Sequence, residues 1–302
     1  MSHRSRYALS LLVAAWVGLG ARSAFACASC GCGDNTLTAT GVERPYRNRI
    51  RVLLEERYGS LVLGDDATGE HTTFLKQSLA VSWSPDKRFT VALVLPWMTS
   101  WIRRAGLPHS TVTGLGDLEL SGRVVLFQEK AFAPHHVLWA GAGLKFPTGR
   151  EGRDTNGFPV DSDDRPGSGS FDPFLGVTYG WFSGELLSFF ASASGRMTTH
   201  GFDGYLRGAT VGGSAALQLQ PWSWGALQLG ADLLWERADY LGNGNLVPNS
   251  GGTTGFLVGA FLANPWRDLL LRLVVDAPVI TVMQGTQSVG PQVTLQVAYD
   301  FN

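Results

Sequence analysis

Three thiols stand within six residues in Cys27-Ala28-Ser29-Cys30-Gly31-Cys32-Gly33-Asp34. Thiolates this close, flanked by glycines, suit a soft metal such as Cu(I) or part of an iron–sulfur site. A tetrahedral site wants four ligands, however, and no second CxxC supplies one. The alternatives are a Cys27–Cys30 or Cys30–Cys32 disulfide in an oxidising compartment, or acylation of Cys27. An odd thiol remains unless metal, lipid or a periplasmic partner takes it. No other cofactor is expected. His71, His109, His135, His136 and His200 bear no fixed relation to the thiols, and His135-His136 reads as a solvated pair beside a turn.

Enzymatic chemistry has little to stand on. Glu151, Asp154, Asp161, Asp163 and Asp164 make one stretch acidic, but without EF-hand spacing they read as a solvated loop rather than a Ca²⁺ site. No nucleophile elbow, HExxH or phosphate loop occurs. The one hydrolase arrangement to weigh sets His200 against Ser192 or Ser194. The chain reads as a non-enzyme.

What must position these residues is a set of strands. Val289, Pro291, Val293, Leu295, Val297, Tyr299 and Phe301 share one parity, and Gln292, Thr294, Gln296, Ala298 and Asp300 share the other. Period two means a strand with one apolar and one wet face. The same alternation recurs at 118–126, 211–220, 227–236 and 269–276, and none of it repeats at the three- and four-residue spacing of a helix. About twelve strands are predicted, near 47–58, 71–84, 88–101, 114–128, 135–147, 170–182, 184–197, 204–220, 222–237, 251–264, 267–279 and 289–301. Short connections (84–87, 129–134, 183–184, 220–222, 264–267) are expected to alternate without exception with long polar ones (59–70, 102–113, 148–169, 198–203, 238–250, 280–288). That layout predicts an all-β, closed, antiparallel up-and-down transmembrane barrel, with short periplasmic turns and long outer loops.

Composition agrees. Apolar residues make up 44%, charged residues only 16%, and 38 of 302 positions are glycine, a balance for many strands facing something other than water. Twenty-four basic against 25 acidic residues, with no basic block, argue against a nucleic-acid partner. Arg4 and Arg6, an apolar run at 8–20 and Ala24-Phe25-Ala26 form a cleavable export signal. The expected organisation is a signal peptide (1–26), a cysteine-bearing periplasmic segment (27–45) and an outer-membrane barrel (46–302), with both termini periplasmic in a Gram-negative-type cell. Trp83, Trp181, Trp222, Trp224 and Trp266 sit near the short turns, while Trp97, Trp101 and Trp235 sit toward the other strand ends, as two aromatic girdles would. Trp139 alone reads as mid-strand.

Charge then falls by parity on the face opposite the apolar one: Arg51, Glu55, Arg57, Lys76, Asp117, Glu119, Arg123, Asp232, Arg272 and Asp276. Placing Arg or Lys against lipid at the midplane costs roughly 2–4 kcal/mol. These residues are therefore expected to line the lumen, where they pair and fill the bore or border a narrow water path.

Several landmarks carry a family likeness. They are Gly114-Leu115-Gly116-Asp117, Lys145-Phe146-Pro147-Thr148-Gly149, Gly167-Ser168-Gly169-Ser170-Phe171-Asp172, Asn249-Ser250-Gly251-Gly252 and Ala277-Pro278. In their order and spacing over 70–302 the chain resembles the outer-membrane family of phenol-degradation meta-pathway proteins. The resemblance implies a channel or transporter for small hydrophobic or aromatic compounds, with no catalytic or ligand residues to carry over. The alternative is a non-transport barrel whose cysteine segment binds metal or docks a periplasmic metal-handling or electron-transfer partner.

Overall fold

The computed structural model describes residues 47–301 apart from 65–68, 105, 131–133, 156–159, 161–163, 184–185 and 267. The export signal, Cys27, Cys30 and Cys32, and Asp161 and Asp163 lie outside the described residues. The chain forms β1 (Arg49–Leu63), β2 (Glu70–Ser84), β3 (Phe89–Arg104), β4 (Ser110–Leu115), β5 (Leu118–Gln128), β6 (His136–Phe146) and β7 (Asp172–Ser183). It continues through β8 (Leu187–Arg196), β9 (Thr210–Trp222), β10 (Gly225–Glu236), β11 (Gly252–Trp266), β12 (Leu269–Met283), β13 (Gln287–Val289) and β14 (Gln292–Phe301). No helix among the described residues is long and apolar enough to cross a membrane.

Neighbouring wall strands pair antiparallel, with β3 pairing β5 and β12 pairing β14, and β1 pairs both β2 and β14, so the sheet closes on itself. Two wall positions are built from two segments each. β4 and β5 both pair β3, and β13 and β14 both pair β1. The result is a closed barrel of twelve strand positions. The interruptions have local causes. At Gly290-Pro291 the proline has no N–H to give the ladder, while Gly290 N still donates to Ser60 O at 2.9 Å. At Gly116-Asp117 the ladder is handed to a loop, since Arg150 N donates to Leu115 O at 3.0 Å.

Parity decides which way each side chain faces. Along β10, Leu227, Leu229, Leu233 and Trp235 are exposed, and along β14 Val293, Leu295 and Tyr299 are exposed. On the opposite parity Arg51, Glu55, Ser78, Gln218, Arg272 and Gln296 are buried. An apolar outside around a polar inside inverts a water-soluble protein, whose exposed apolar patches rarely exceed a few hundred Å². Strands of 10–12 residues rise roughly 3.3 Å per residue and, tilted near 40°, cover roughly 25–30 Å, the height of an outer-membrane apolar band. Trp83, Trp222, Trp224 and Trp266 are exposed beside the turns at the terminal end, and Trp97, Trp101 and Trp235 are exposed toward the other. Trp139 instead faces inward, 3% exposed, against Val125 and Val137.

The inner face is uneven. Leu61, Phe74, Met98, Phe256, Val258 and Val274 form a buried apolar cluster inside β1–β3 and β11–β12. Midway along β7 to β9 the inward positions are small (Gly176, Thr178, Ser192, Ser194, Gly212 and Ser214), between Phe174 with Arg196 toward one end and Phe182 with Phe190 toward the other. One side of the barrel is filled by large apolar side chains, and the other is bare only in its middle stretch.

Loop lengths correct the expectation. Strands β1, β3 and β12 run to Leu63, Arg104 and Met283, through residues expected in loops, because cross-strand pairing continues to Leu63↔Glu70 and Gly252↔Met283. The β12–β13 turn is only 284–286. Long loops at the end opposite the termini are therefore three, 147–171, 197–209 and 237–251, and the strict alternation fails. β9 starts at Thr210 rather than near 204, because a 3-10 turn at Phe202–Gly204 occupies the preceding stretch.

Leu229→Arg, on the exposed face at mid-β10, should lower barrel stability in phospholipid vesicles by about 2–4 kcal/mol. Ser194→Arg, inward on the bare side, should cost well under that. Equal losses in denaturant titrations of the two variants would overturn this assignment of faces.

Candidate lumen and loop anchor

Among the described residues, three polar groups stand out in the interior. Nearest the terminal end, the Arg51 guanidinium grips Asp300 with Nε and Nη2, each at 2.6 Å, and Arg49 lies 3.9 Å from the same carboxylate. Arg49 and Arg51 both act electrostatically on Arg123, whose guanidinium carbon lies 6.0 Å from the Trp139 ring centre. A second group spans β1, β14, β12 and β10. Gln296 Nε2 donates to Glu55 at 2.6 Å, Arg57 reaches Glu55 at 3.3 Å, and Arg272 donates to Gln228 at 2.7 Å and to Gln296 at 3.4 Å. The Arg272–Gln228 bond passes over β11, which places both side chains inside the wall. Asp232 and Asp276 lie within electrostatic reach of Arg57 and Arg272. Lys76 sits opposite Arg57 in the β1–β2 register.

The third group anchors the longest loop. Asp117, 5% exposed, accepts from Gly149 N at 2.9 Å, Ser168 N at 2.8 Å and Ser168 Oγ at 2.6 Å. Lys145 Nζ lies 3.3 Å from Asp117 and 2.5 Å from Asp172, and donates to Ser168 and Ser170. Asp172 in turn accepts from Thr199 N at 3.1 Å, tying in the next loop. A Cβ on Gly149 would stand 2.6 Å from Gly167 Cα and 2.8 Å from Asp117 Oδ1, so only glycine lets the two loop arms cross the carboxylate. Below this cluster Glu119 and Arg196 pair at 2.8 Å across β6 and β7, with Arg196 4.9 Å from the Phe174 ring centre.

The landmarks at Gly114–Asp117, 145–149 and 167–172 thus converge on one anchor, although they are separated in sequence. The fourth landmark serves a neighbouring one. Asp239, 3% exposed, accepts from Gly208 N at 2.6 Å and from Tyr205 Oη, while Ser250 Oγ accepts from Asp239 N at 3.0 Å. Together with the bridges Leu206↔Tyr240 and Tyr240↔Leu246, this stitches loops 197–209 and 237–251 together.

Charge on the wet parity pointed to ten residues and overlooked Arg49, Lys145, Asp172, Arg196, Asp239 and Asp300. Lys145 and Asp300 share parity with inward neighbours, and extending that count to the strand ends would have found them. Asp172 opens β7 on its inward parity and would have been found the same way, whereas Asp239 lies in loop 237–251, where parity gives no signal. The histidine pair is structural rather than free. His135 Nδ1 meets Phe182 O at 2.8 Å, His136 Nδ1 meets Tyr179 Oη at 2.6 Å, and both backbone N–H groups donate to Glu129. Ser192 Oγ bonds Ser214 Oγ at 2.6 Å, and among the described residues no hydrogen bond joins His200 to Ser192 or Ser194. No group of three metal-ligating side chains assembles among the described residues.

No protein-family model and no curated protein matches the chain. Among solved structures it is similar to an outer membrane channel from Pseudomonas putida F1, with TM-score 0.67 and 12% identity over 86% of this chain and 97% of that one. It is also similar to the transport unit of the autotransporter AIDA-I from Escherichia coli, with TM-score 0.51 and 10% identity over 92% of this chain and 100% of that one. At these identities the likeness is one of fold.

Asp117→Ala should release loop 147–171 by removing three hydrogen bonds and one of two carboxylates on Lys145. A loss of roughly 2–4 kcal/mol is expected, with new proteolytic cleavage confined to 150–166. Asp117→Asn, which keeps one acceptor oxygen, should be cut more slowly. Digestion of the variant that matches wild type would disprove the anchor.

Proposed function

We propose that the chain is an outer-membrane channel or transporter for small hydrophobic or aromatic compounds. The observation that carries this reading is the inversion of polarity around a closed wall, with Leu229 and Leu295 outside and Glu55, Arg272 and Gln296 inside. Lipid satisfies the outer face. Closure satisfies the backbone, because no strand edge is left for a bilayer that offers no hydrogen bonds. The likeness to the P. putida channel supports passage of solute, and the resemblance at the loop landmarks supports hydrophobic or aromatic cargo.

On this reading Arg51, Glu55, Arg57, Lys76, Asp117, Glu119, Arg123, Asp232, Arg272 and Asp276 face the lumen. The path runs off-centre, along the small inward side chains of β7–β9 rather than down the axis. Solute enters among the anchored loops at the end opposite the termini, and charged side chains paired across the bore set what passes. Membrane lipid is the only partner the barrel requires.

Reconstituted into a planar bilayer, the folded barrel should give steps of defined conductance. Lys76→Glu should raise cation over anion permeability and Asp276→Lys should do the reverse, each by a reversal-potential shift under a salt gradient. A barrel that shows heat-shifted gel mobility yet stays electrically silent would overturn the channel reading.

A further inference from the structure

Lipid is enough for the outward face almost everywhere. Among the described strand residues one carboxylate stands on the outward parity, that of Glu56, midway along β1. Its strand neighbours Leu54 and Tyr58 are exposed, as are Leu295, opposite it on β14, and Leu79 and Trp97 close by. Gln77, opposite Glu56 on β2 and outward by the same count, donates to it through Nε2 at 2.7 Å. That bond uses one amide proton and one carboxylate oxygen. Among the described residues no second hydrogen bond reaches either side chain. We propose that this patch joins the barrel to a second copy of itself, as a two-fold dimer through β1 and β2. The inference goes beyond the channel reading and rests only on the outward face meeting lipid.

Cost and symmetry choose this occupant. Acyl chains offer neither donor nor acceptor to the open half of the pair, and a carboxylate among them is expensive, so such a residue ordinarily marks a place where a partner is met. An anionic lipid headgroup is repelled by it. A second copy is not. Two barrels inserted in one membrane in the same direction can be related by a two-fold axis along the membrane normal, which leaves every residue at its own height. Neighbouring strands lie about 4.8 Å apart and tilt near 40°, so Glu56 and Gln77 differ in height by roughly 3 Å. The axis therefore sets the Gln77 amide of each copy against the Glu56 carboxylate of the other, and two hydrogen bonds form at once. The patch complements itself because donor and acceptor share one row of the sheet.

The surroundings suit close approach. The rows on either side, Leu54↔Leu79 and Tyr58↔Leu75, give the pair large side chains that pack copy against copy and enclose it. The connections at 64–69, 85–88 and 105–109 are short, whereas the three long loops join β6 to β7, β8 to β9 and β10 to β11. Behind the patch Phe74 and Met98 fill the inside of the same wall, so contact there does not bear on the small inward residues of β7–β9.

The test is Förster transfer between donor- and acceptor-labelled full chains in phospholipid vesicles, read across protein-to-lipid ratios, with heat-shifted gel mobility showing that each variant is folded. Wild type should follow a monomer–dimer isotherm. Glu56→Leu and Gln77→Leu should each raise the dissociation constant at least about tenfold, because each removes both bonds between copies and two hydrogen bonds between membrane segments are together worth about that factor. Glu56→Gln, which keeps an acceptor oxygen, should fall between wild type and Glu56→Leu. Leu217→Ala, exposed on β9 across the barrel, should leave the isotherm where it is. If Gln77→Leu folds poorly, having stripped the carboxylate of its bond, Glu56→Leu carries the decision. Transfer no greater than random proximity at every ratio would end the proposal and leave the row to lipid. So would transfer that climbs without saturating, or an isotherm unmoved in Glu56→Leu. Conductance separates the two readings. A silent dimer sinks the channel alone, whereas a conducting monomer sinks the dimer alone.

Discussion

Every backbone N–H and C=O in the wall has to find its partner within the protein, because hydrocarbon supplies none. In this chain the requirement is met by β1, which pairs β2 on one side and β14 on the other, from Ile50↔Phe301 to Tyr58↔Val293. Once the sheet is closed, parity sorts side chains with no further choice. Apolar residues of one phase face lipid, and whatever occupies the other phase is enclosed. A guanidinium such as Arg272 is then shut into the bore, where it must be hydrogen bonded, and the Gln228 and Gln296 side chains do that. The polar interior follows from closure as much as from any requirement of transport.

Loops obey the same accounting at smaller scale. A 25-residue excursion such as 147–171 carries backbone donors that a compact structure must satisfy, and Asp117 and Asp239 do so by turning buried carboxylates toward glycine and serine N–H groups. Lys145 makes the first arrangement tolerable, since two acids as close as Asp117 and Asp172 need a cation between them. The anchor interrupts the β4–β5 wall position at Gly116-Asp117, so a break in the ladder and a fixed loop are one feature.

The fold was legible in the sequence wherever alternation is a local property. The strand at 227–236 needs no partner to announce itself, and its observed span, Gly225–Glu236, is nearly the expected one. Where pairing outruns the apolar band the signal fades. Residues 59–63 and 280–283 were expected in loops because Gly59-Ser60 and Pro278 interrupt the pattern, yet the neighbouring strands keep them in the ladder. The anchor was half legible. The glycine landmarks were visible as short motifs, but their meeting depends on contacts across 32 and 51 residues that no spacing rule encodes. The apolar cluster of Phe74, Met98 and Phe256 inside the barrel was not legible, since parity alone predicts a wet inner face.

The seam between β1 and β14 bears on how the barrel comes into being. Every other wall pairing joins strands that are neighbours in sequence, so hairpins can form one after another with short loop closures. The seam alone brings together residues 249 apart, as in Arg51 and Asp300, and so concentrates the entropic cost of a distant encounter into a single late event. An ion pair stationed at that edge gives the two ends of the chain an attraction that survives before the ladder zips. Folding speed, by this logic, is governed by a few residues at the terminal rim rather than by the long loops at the opposite end.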